Sequence, residues 1–318
     1  MVELSVIIPV YNEEKNISLV YDRCITVAQK ICSSFEIIFV NDGSKDDSFS
    51  IITQLSQEDA RVKYIHLSRN FGHQIAVTAG LEASEGNHIV IIDADLQDPP
   101  ALIEKLYLKA KEGYEVVYAK RNLRKGESAF KTITAKLFYR LLTKITSIEI
   151  PIDTGDFRII SRKVVDVLKK MPEQQKFLRG QIAWVGFKQT AVTYDRDERT
   201  DGKSGYTIRK MIRLAMDGIT SFSNLPLRIA TIAGFVVSGI TFCVALYALY
   251  SRFVTNDYVP GWTSNIISVL FIGGVQLITI GIIGEYISRI SSNVRNRPLY
   301  VISDSNINYS KVNEKSSQ

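Results

Sequence analysis

Cysteine is scarce and unpatterned: Cys24, Cys32 and Cys243 are the three in 318 residues. They show no metal-ligand spacing and no disulfide framework, which fits a reducing compartment. The phosphate-cradling motifs are missing too. No GxGxxG follows the first apolar run and no GxxxxGK[ST] occurs, which excludes the dinucleotide fingerprint and the P-loop. Internal repeats and long low-complexity segments are absent. The opening apolar run is too short for a secretory signal and is soon stopped by Pro9, so the N-terminal domain is expected to stay in the cytosol. Of the three histidines, His73 and His88 lack the spacing of a metal pair, and His73 reads as a polar residue at a helix start. The net charge of +6 suits anionic headgroups and a phosphorylated substrate, and with long apolar runs in the chain no nucleic acid is needed to account for it.

What is present begins with a strand end. Ile89 to Ile92 run directly into Asp93-Ala94-Asp95-Leu96-Gln97, and Asp98-Pro99-Pro100 closes the run. A short apolar run of this kind reads as a buried parallel strand, and open α/β sheets bind ligands beyond the carboxyl ends of such strands. Asp-x-Asp with a nearby Gln offers hard oxygen ligands suited to Mg²⁺ or Mn²⁺ on a diphosphate; a bare Asp-rich turn is the plain alternative. Two carboxylates would repel a diphosphate, so a divalent cation has to stand between them, with basic side chains completing the balance. Further strands are expected over 4–8, 36–40, 62–67, 88–93 and 115–120, separated by stretches long enough for helices. This spacing predicts a mostly parallel, doubly wound α/β sheet. After the first strand, Glu13 and Glu14 suit a helix's first turn. The second ends in Asn41-Asp42-Gly43-Ser44-Lys45-Asp46, where Gly43 supplies a tight turn and Ser44 or Asp46 could cap the next helix.

The C-terminal third changes character. No charge occurs from Ile229 to Ser251 or from Tyr258 to Gly284, each run long enough to span a bilayer as a helix, over about 229–251 and 264–286. Arg209, Lys210, Arg213 and Arg228 precede the first run and Arg289, Arg295 and Arg297 follow the second, while Arg252 and Asp257 balance in between. The positive-inside rule then predicts a multi-pass protein of the inner (plasma) membrane with both termini cytoplasmic and with Tyr250, Tyr258 and Trp262 near the outer interface. Glu285 is expected to pair with Arg289 at helical spacing. Gly273-Gly274 and Gly281 to Gly284 would let helices approach closely, which is compatible with a homo-oligomer. The expected organisation is a cytosolic domain over 1–204, an amphipathic juxtamembrane segment over 205–226, the two spans within 227–290 and a polar cytoplasmic tail over 291–318, frayed from Ser303 on.

Taken together, Pro9-Val10-Tyr11-Asn12-Glu13, Asn41-Asp42-Gly43-Ser44, Ser68-Arg69-Asn70-Phe71-Gly72 and Asp93-Ala94-Asp95-Leu96-Gln97-Asp98-Pro99-Pro100 resemble the family 2 glycosyltransferases of GT-A (Rossmann-like) fold. Nearly the full length is similar to the membrane-anchored polyprenyl-phosphate glycosyltransferases, among them the bactoprenol glucosyltransferases and dolichol-phosphate mannose synthase. The resemblance implies metal-dependent, inverting transfer of a hexose from a nucleotide sugar, UDP-glucose in first place, to undecaprenyl phosphate or a related lipid. It implies that Pro9, Tyr11, Glu13 and Asp42 line the nucleoside pocket with Asp93 beside them, and that Asp93, Asp95 and Gln97 hold Mg²⁺ or Mn²⁺. Plain alternatives stand beside these roles: Pro9 ends a strand, Tyr11 is a half-buried aromatic, and Asp42 makes an Asx-turn with Gly43. Within Pro151 to Ile160 the resemblance puts Asp156 at the acceptor side and makes Arg158 a phosphate or structural partner. Arg199 and Lys203 would belong to a basic loop over the diphosphate, and Arg124, with Lys125 and Lys131, would add phosphate contacts; a solvated positive face is the alternative. A phosphate monoester is already ionised near neutral pH, so Asp156 is either a base or a positioning group, or else a cap beside Gly155. Gln181-Ile182-Ala183-Trp184 departs from the QxxRW of processive polysaccharide synthases. A non-catalytic lipid carrier or scaffold would have no use for Asp93, Asp95, Gln97 and Asp156 together.

Overall fold

The strands alternate their side chains between two cores, which is why they read as continuous apolar runs. In this computed structural model, residues 1–121, 154–194, 223, 225–250 and 261–307 are described. The first unit comprises Met1–Thr143, Ile148–Thr207 and Arg297–Gln318, and the second Lys144–Ser147 and Ile208–Asn296.

In the first unit, β1 (Leu4–Val10), α1 (Ile17–Ile31), β2 (Phe35–Asn41), α2 (Ser48–Glu58), β3 (Val62–Leu67), α3 (His73–Ala83), β4 (His88–Ile91), α4 (Leu102–Lys111) and β5 (Val116–Arg121) follow one another. They are succeeded by β6 (Thr154–Ser161), α5 (Arg162–Lys169), α6 (Leu178–Trp184), β7 (Gln189–Tyr194) and, far along the chain, β8 (Ile302–Ser305). Among the described residues the sheet order is β7-β5-β6-β4-β1-β2-β3-β8. The pairs β1–β2, β1–β4, β2–β3 and β5–β7 are parallel, whereas β6 runs antiparallel between β4 and β5, and β8 antiparallel to β3. The result is a mostly parallel mixed sheet, as expected for a GT-A-like fold. Val6, Ile8, Phe39 and Val90 face one core with Ile17, Val20 and Leu106 of α1 and α4. Ile7, Ile38, Ile65 and Ile91 face the other, against Val77 of α3 and Val164 of α5.

Several local expectations are corrected. Pro9 does not stop β1: it lies opposite Val40 in the ladder, one residue before the strand ends. Glu13 and Glu14 precede α1, whose first turn carries no acid. Neither Ser44 nor Asp46 is the N-cap of α2, a place taken by Asp47. Asp156 and Gly155 lie within strand β6, so Asp156 is not a turn or helix cap. The segment after Ser303 is not frayed at its start, because β8 covers the edge of β3. Asn306 accepts from Tyr64 N at 2.7 Å and donates to Val62 O at 3.1 Å, Ser68 N reaches Val301 O at 2.9 Å, and Tyr300 donates to Glu82 at 2.5 Å. An open edge strand is thereby closed by a short polar one.

The second unit contains α7 (Leu225–Tyr250) and α8 (Trp262–Val294), both long and apolar enough to cross a membrane. Their apolar side chains face outward; Phe235 is 77% exposed and Leu277 72%. Tyr286 donates to Ser223 O at 2.7 Å, and Arg289 pairs with Glu285 at 3.2 Å, as the helical spacing predicts. Gly273, Gly274, Gly281 and Gly284 have nothing within 4 Å of where a Cβ would sit, so they make no close helix approach among the described residues. The juxtamembrane segment 205–222 and the loop with Arg252, Asp257 and Tyr258 lie outside the described residues.

Candidate active site

At the carboxyl ends of β1 and β2, two loops are stitched together. Asn12 N donates to Ser44 Oγ (2.9 Å), Lys45 N to Asn12 Oδ1 (2.8 Å), Glu13 N to Ser48 Oγ (3.0 Å) and Glu14 N to Asp46 Oδ2 (3.1 Å). Asn12 sits at φ 55°, a left-handed conformation that Asn tolerates. Tyr11, at the start of the first of these loops, is 44% exposed. Partial burial, reinforced by the charges of Asp95 and Asp46, raises the pKa of Glu13, while the Asn16 amide opposes the rise. Asp42 is buried and fixes the loop after β3: its carboxylate accepts from Phe71 N at 2.7 Å and Gly72 N at 2.9 Å. Each oxygen keeps a lone pair for a further donor.

Gly43 sits at φ +65°, and a Cβ there would lie 2.5 Å from the backbone carbon of Arg69. Gly43→Ala is therefore expected to destabilise the protein by about 1–3 kcal/mol, through backbone strain and displacement of the loop that Asp42 holds. A urea melt checks this, and an unchanged midpoint would refute the packing argument.

Beyond β4 the chain turns sharply. Leu96 adopts φ 55°, unusual for a bulky residue and the kind of local strain found at functional turns. Asp95 Oδ1 accepts from Gln97 N at 3.1 Å, and buried Asp98 is tied to Tyr194 at the end of β7. Asp93 Oδ1 has no hydrogen-bond partner among the described residues; the nearest positive group is His73 Nε2 at 3.6 Å. Burial lifts the Asp93 pKa to about 6, with His73 opposing and the charges of Asp156 and Asp95 adding to the rise. An orphaned carboxylate oxygen beside a second carboxylate is what a hard cation would satisfy, and the residues fit Mg²⁺ or Mn²⁺. Among the described residues no three His, Cys, Asp or Glu side chains converge to hold a metal.

Asp156 projects from β6 into the same region. His73 Nε2 lies 3.2 Å from Oδ2, Arg179 Nε donates to Oδ1 at 2.8 Å, and Arg158 Nη2 reaches Oδ1 at 3.3 Å. Burial works to raise the Asp156 pKa, but the charge of Arg179 and the hydrogen bonds from His73 and Arg179 outweigh it and hold the group well below the usual carboxylate range. His73 titrates oppositely. Desolvation works against its charge, yet the Asp156 hydrogen bond and the charges of Asp93 and Asp156 raise its pKa to about 9. Arg158 is corrected as a phosphate contact: it is 1% exposed, stacks by Tyr118 at 5.3 Å and donates to Gly155 O at 2.8 Å and Asp156 O at 3.1 Å. A guanidinium so enclosed props up the strand and presents no face to a diphosphate.

The matches to known proteins coincide with these elements. The Glycosyl transferase family 2 profile matches residues 5–168, and a second profile, GtrB C-terminal hairpin, matches 225–290. The chain belongs to glycosyl transferase family 2. It is similar to the uncharacterized glycosyltransferase YkcC of Bacillus subtilis, at 51% identity over 96% of this chain and 94% of that protein. It is likewise similar to the SfII prophage-derived bactoprenol glucosyl transferase of Shigella flexneri, at 41% identity over 95% and 98%. A crystal structure of glucosyl-3-phosphoglycerate synthase from Mycobacterium tuberculosis, in complex with Mn²⁺, UDP and phosphoglyceric acid, matches at TM-score 0.48 and 18% identity, covering 69% of this chain and 76% of that one.

For this glycosyltransferase, the structure brings Asp93 and Asp156 together through His73 and puts Glu13 within electrostatic reach of Asp95. Pro9 lies at the end of β1 and Gln97 in the turn after β4. Arg124, Lys125, Lys131, Arg199 and Lys203 fall outside the described residues. Three site residues have no motif to reveal them. His73 is a helix-start residue, as the sequence suggests, but also an acid bridge; Gln74 and Arg179 reach Asp156 only because α3 and α6 meet over β6.

Proposed function

We propose that this glycosyltransferase moves a hexose, glucose from UDP-glucose in first place, onto a polyprenyl phosphate such as undecaprenyl phosphate, with inversion, at the cytoplasmic face of the inner membrane. The observation that carries the reading is the joint match of the catalytic domain and the C-terminal hairpin to bactoprenol glucosyl transferases along almost the whole of both chains. The acid-rich strand ends supply the matching chemistry. Asp93 and Asp95, with Gln97 beside them, would hold Mg²⁺ or Mn²⁺, which when bound neutralises the diphosphate leaving group. Pro9, Tyr11, Glu13 and Asp42 would form the nucleoside pocket at the stitched loops, and Arg124, Arg199 and Lys203 would contact phosphate.

Asp156 then orients the reacting partners rather than taking a proton. A carboxylate held ionised by His73 and Arg179 is a weak base, and the acceptor phosphate is already an anion able to attack the anomeric carbon. Asp156→Asn is expected to lower transfer by roughly two orders of magnitude, with nucleotide affinity unchanged within about threefold. Rate profiles against pH separate the two roles. A base leaves a titration limb that vanishes in the variant, and a parental rate at every pH would remove Asp156 from the chemistry.

The topology supports a two-span anchor. Strands β3 and β8 belong to one sheet, yet α7 and α8 lie between them in the chain. That arrangement supports a reading in which both flanks of the helix pair lie on one side of a bilayer, as two crossings would leave them. The excess of Arg and Lys on those flanks supports a cytoplasmic placement for that side. The decisive assay incubates the membrane-embedded enzyme with undecaprenyl phosphate, Mg²⁺ or Mn²⁺ and a panel of radiolabelled nucleotide sugars. Labelled lipid should appear with UDP-glucose; label in no lipid with any donor would end this reading.

A further inference from the structure

Four groups on three elements meet at one carboxylate. Besides His73 and Arg158, Asp156 Oδ1 takes the Arg179 Nε–H at 2.8 Å, and Gln74 Nε2 lies 3.5 Å from Oδ2. Gln74 also faces α6, where its Oε1 accepts from Leu178 N at 3.1 Å. Arg179 is the next residue, so Asp156, Gln74, Leu178 and Arg179 close a ring that joins β6, α3 and the first turn of α6. The ring has a division of labour. Arg158 approaches from Asp156's own strand and is sealed in the core, whereas Arg179 is 22% exposed at its side chain and comes from a helix that carries none of the family motifs quoted above. Arg179 is thus the shorter-bonded and less enclosed of the two guanidinium groups that share Asp156 Oδ1.

We propose that Arg179 is a positioning residue for glycosyl transfer: acting through Asp156, and braced by Gln74, it keeps that carboxylate aimed at the His73 and Asp93 side of the cleft, where acceptor and sugar meet. This rests on the catalytic reading given above. Its physical basis is that a planar guanidinium donating through Nε fixes both distance and direction, which a flexible ammonium does not. A displacement of the order of 1 Å at such a group costs about a hundredfold in rate when it misaligns the reacting partners.

The test is a double-mutant cycle on the full-length enzyme in membranes, with Arg179→Leu, Arg179→Lys, Asp156→Asn and the Arg179→Leu/Asp156→Asn pair. Arg179→Leu should lower kcat about 10- to 100-fold with the donor KM within about threefold, and Arg179→Lys should recover only part of the loss. In the Asp156→Asn background the same Leu substitution should change kcat by less than about twofold, because its route to the reaction is already cut. A second readout needs no double variant. Asp156 faces His73 of α3, Arg158 of its own strand and Arg179 of α6, with Asp93 beyond β4 nearby. Removing one of its cations should raise the Asp156 pKa, so Arg179→Leu should gain an acidic limb beyond the one the acceptor phosphate gives the parent. Equal losses in both backgrounds, or a parental kcat in Arg179→Leu, would overturn the proposal, as would an Arg179→Leu profile without the added limb where the double variant is too slow to measure. A wild-type enzyme that labels no lipid with any donor would instead sink the catalytic reading on which it rests.

Discussion

Asp95→Asn is expected to cut glycosyl transfer by roughly 100- to 1000-fold while the fold survives. The substitution keeps shape and hydrogen bonding: the Asn side-chain oxygen can still accept from the Gln97 amide, 3.1 Å away in the parent. What it removes is one of the negative charges that a divalent cation needs if it is to bridge protein and diphosphate. The loss should therefore deepen at limiting Mg²⁺ or Mn²⁺ and be partly relieved at high concentration. Calorimetric binding of UDP with and without metal should show the same dependence, and circular dichroism should match the parent. Near-parental transfer at limiting metal would remove Asp95 from the metal site and leave the strained turn at Leu96 without a functional reason.

Replacing 225–296 by a flexible Gly/Ser linker is expected to spare nucleotide binding but lower transfer to long-chain polyprenyl phosphate in bilayers by about 100-fold or more. On the proposed reading, confinement to the membrane surface raises the local concentration of a lipid phosphate at the cleft, so a short, water-dispersed prenyl phosphate should show a much smaller deficit. The linker must return the chain to β8. A plain truncation after Phe222 would also strip Ser305 and Asn306 from the edge of β3 and Tyr300 from Glu82 of α3, and is expected to be less stable and prone to edge-to-edge association. Undiminished transfer to long-chain lipid by the linker form would show that the helix pair is dispensable for acceptor delivery.

Much of this protein is legible in its chain because the signals are local. Apolar runs of four to seven residues separated by helix-length stretches announce the parallel part of the sheet, from β1 to β5. Charge-free runs announce α7 within a few residues and the start of α8, which continues eight residues past the expected end to Val294, and the Glu285–Arg289 pair follows from helical geometry alone. The strand-end motifs likewise mark the edge on which Asp42, Asp93 and Asp95 sit. Strand β6 is harder to see, since Asp156 and Arg158 are charged residues inside a central strand, tolerated there because Arg179 and His73 hold the carboxylate and backbone carbonyls of β6 take the guanidinium.

The amino-acid order by itself thus determined the α/β class, the acidic strand ends and the two apolar helices, all of which depend on residue type repeated at short range. Tertiary structure alone decided three things: that β6 inserts antiparallel between β4 and β5, that β8 returns from beyond the helix pair to close the sheet, and that His73, Gln74 and Arg179 surround Asp156. Contacts between residues separated by tens to hundreds of positions leave no periodicity and no spacing to read. They exist because burying an ionised carboxylate or an open strand edge is costly, and the fold must bring a partner to each from wherever the chain can supply one.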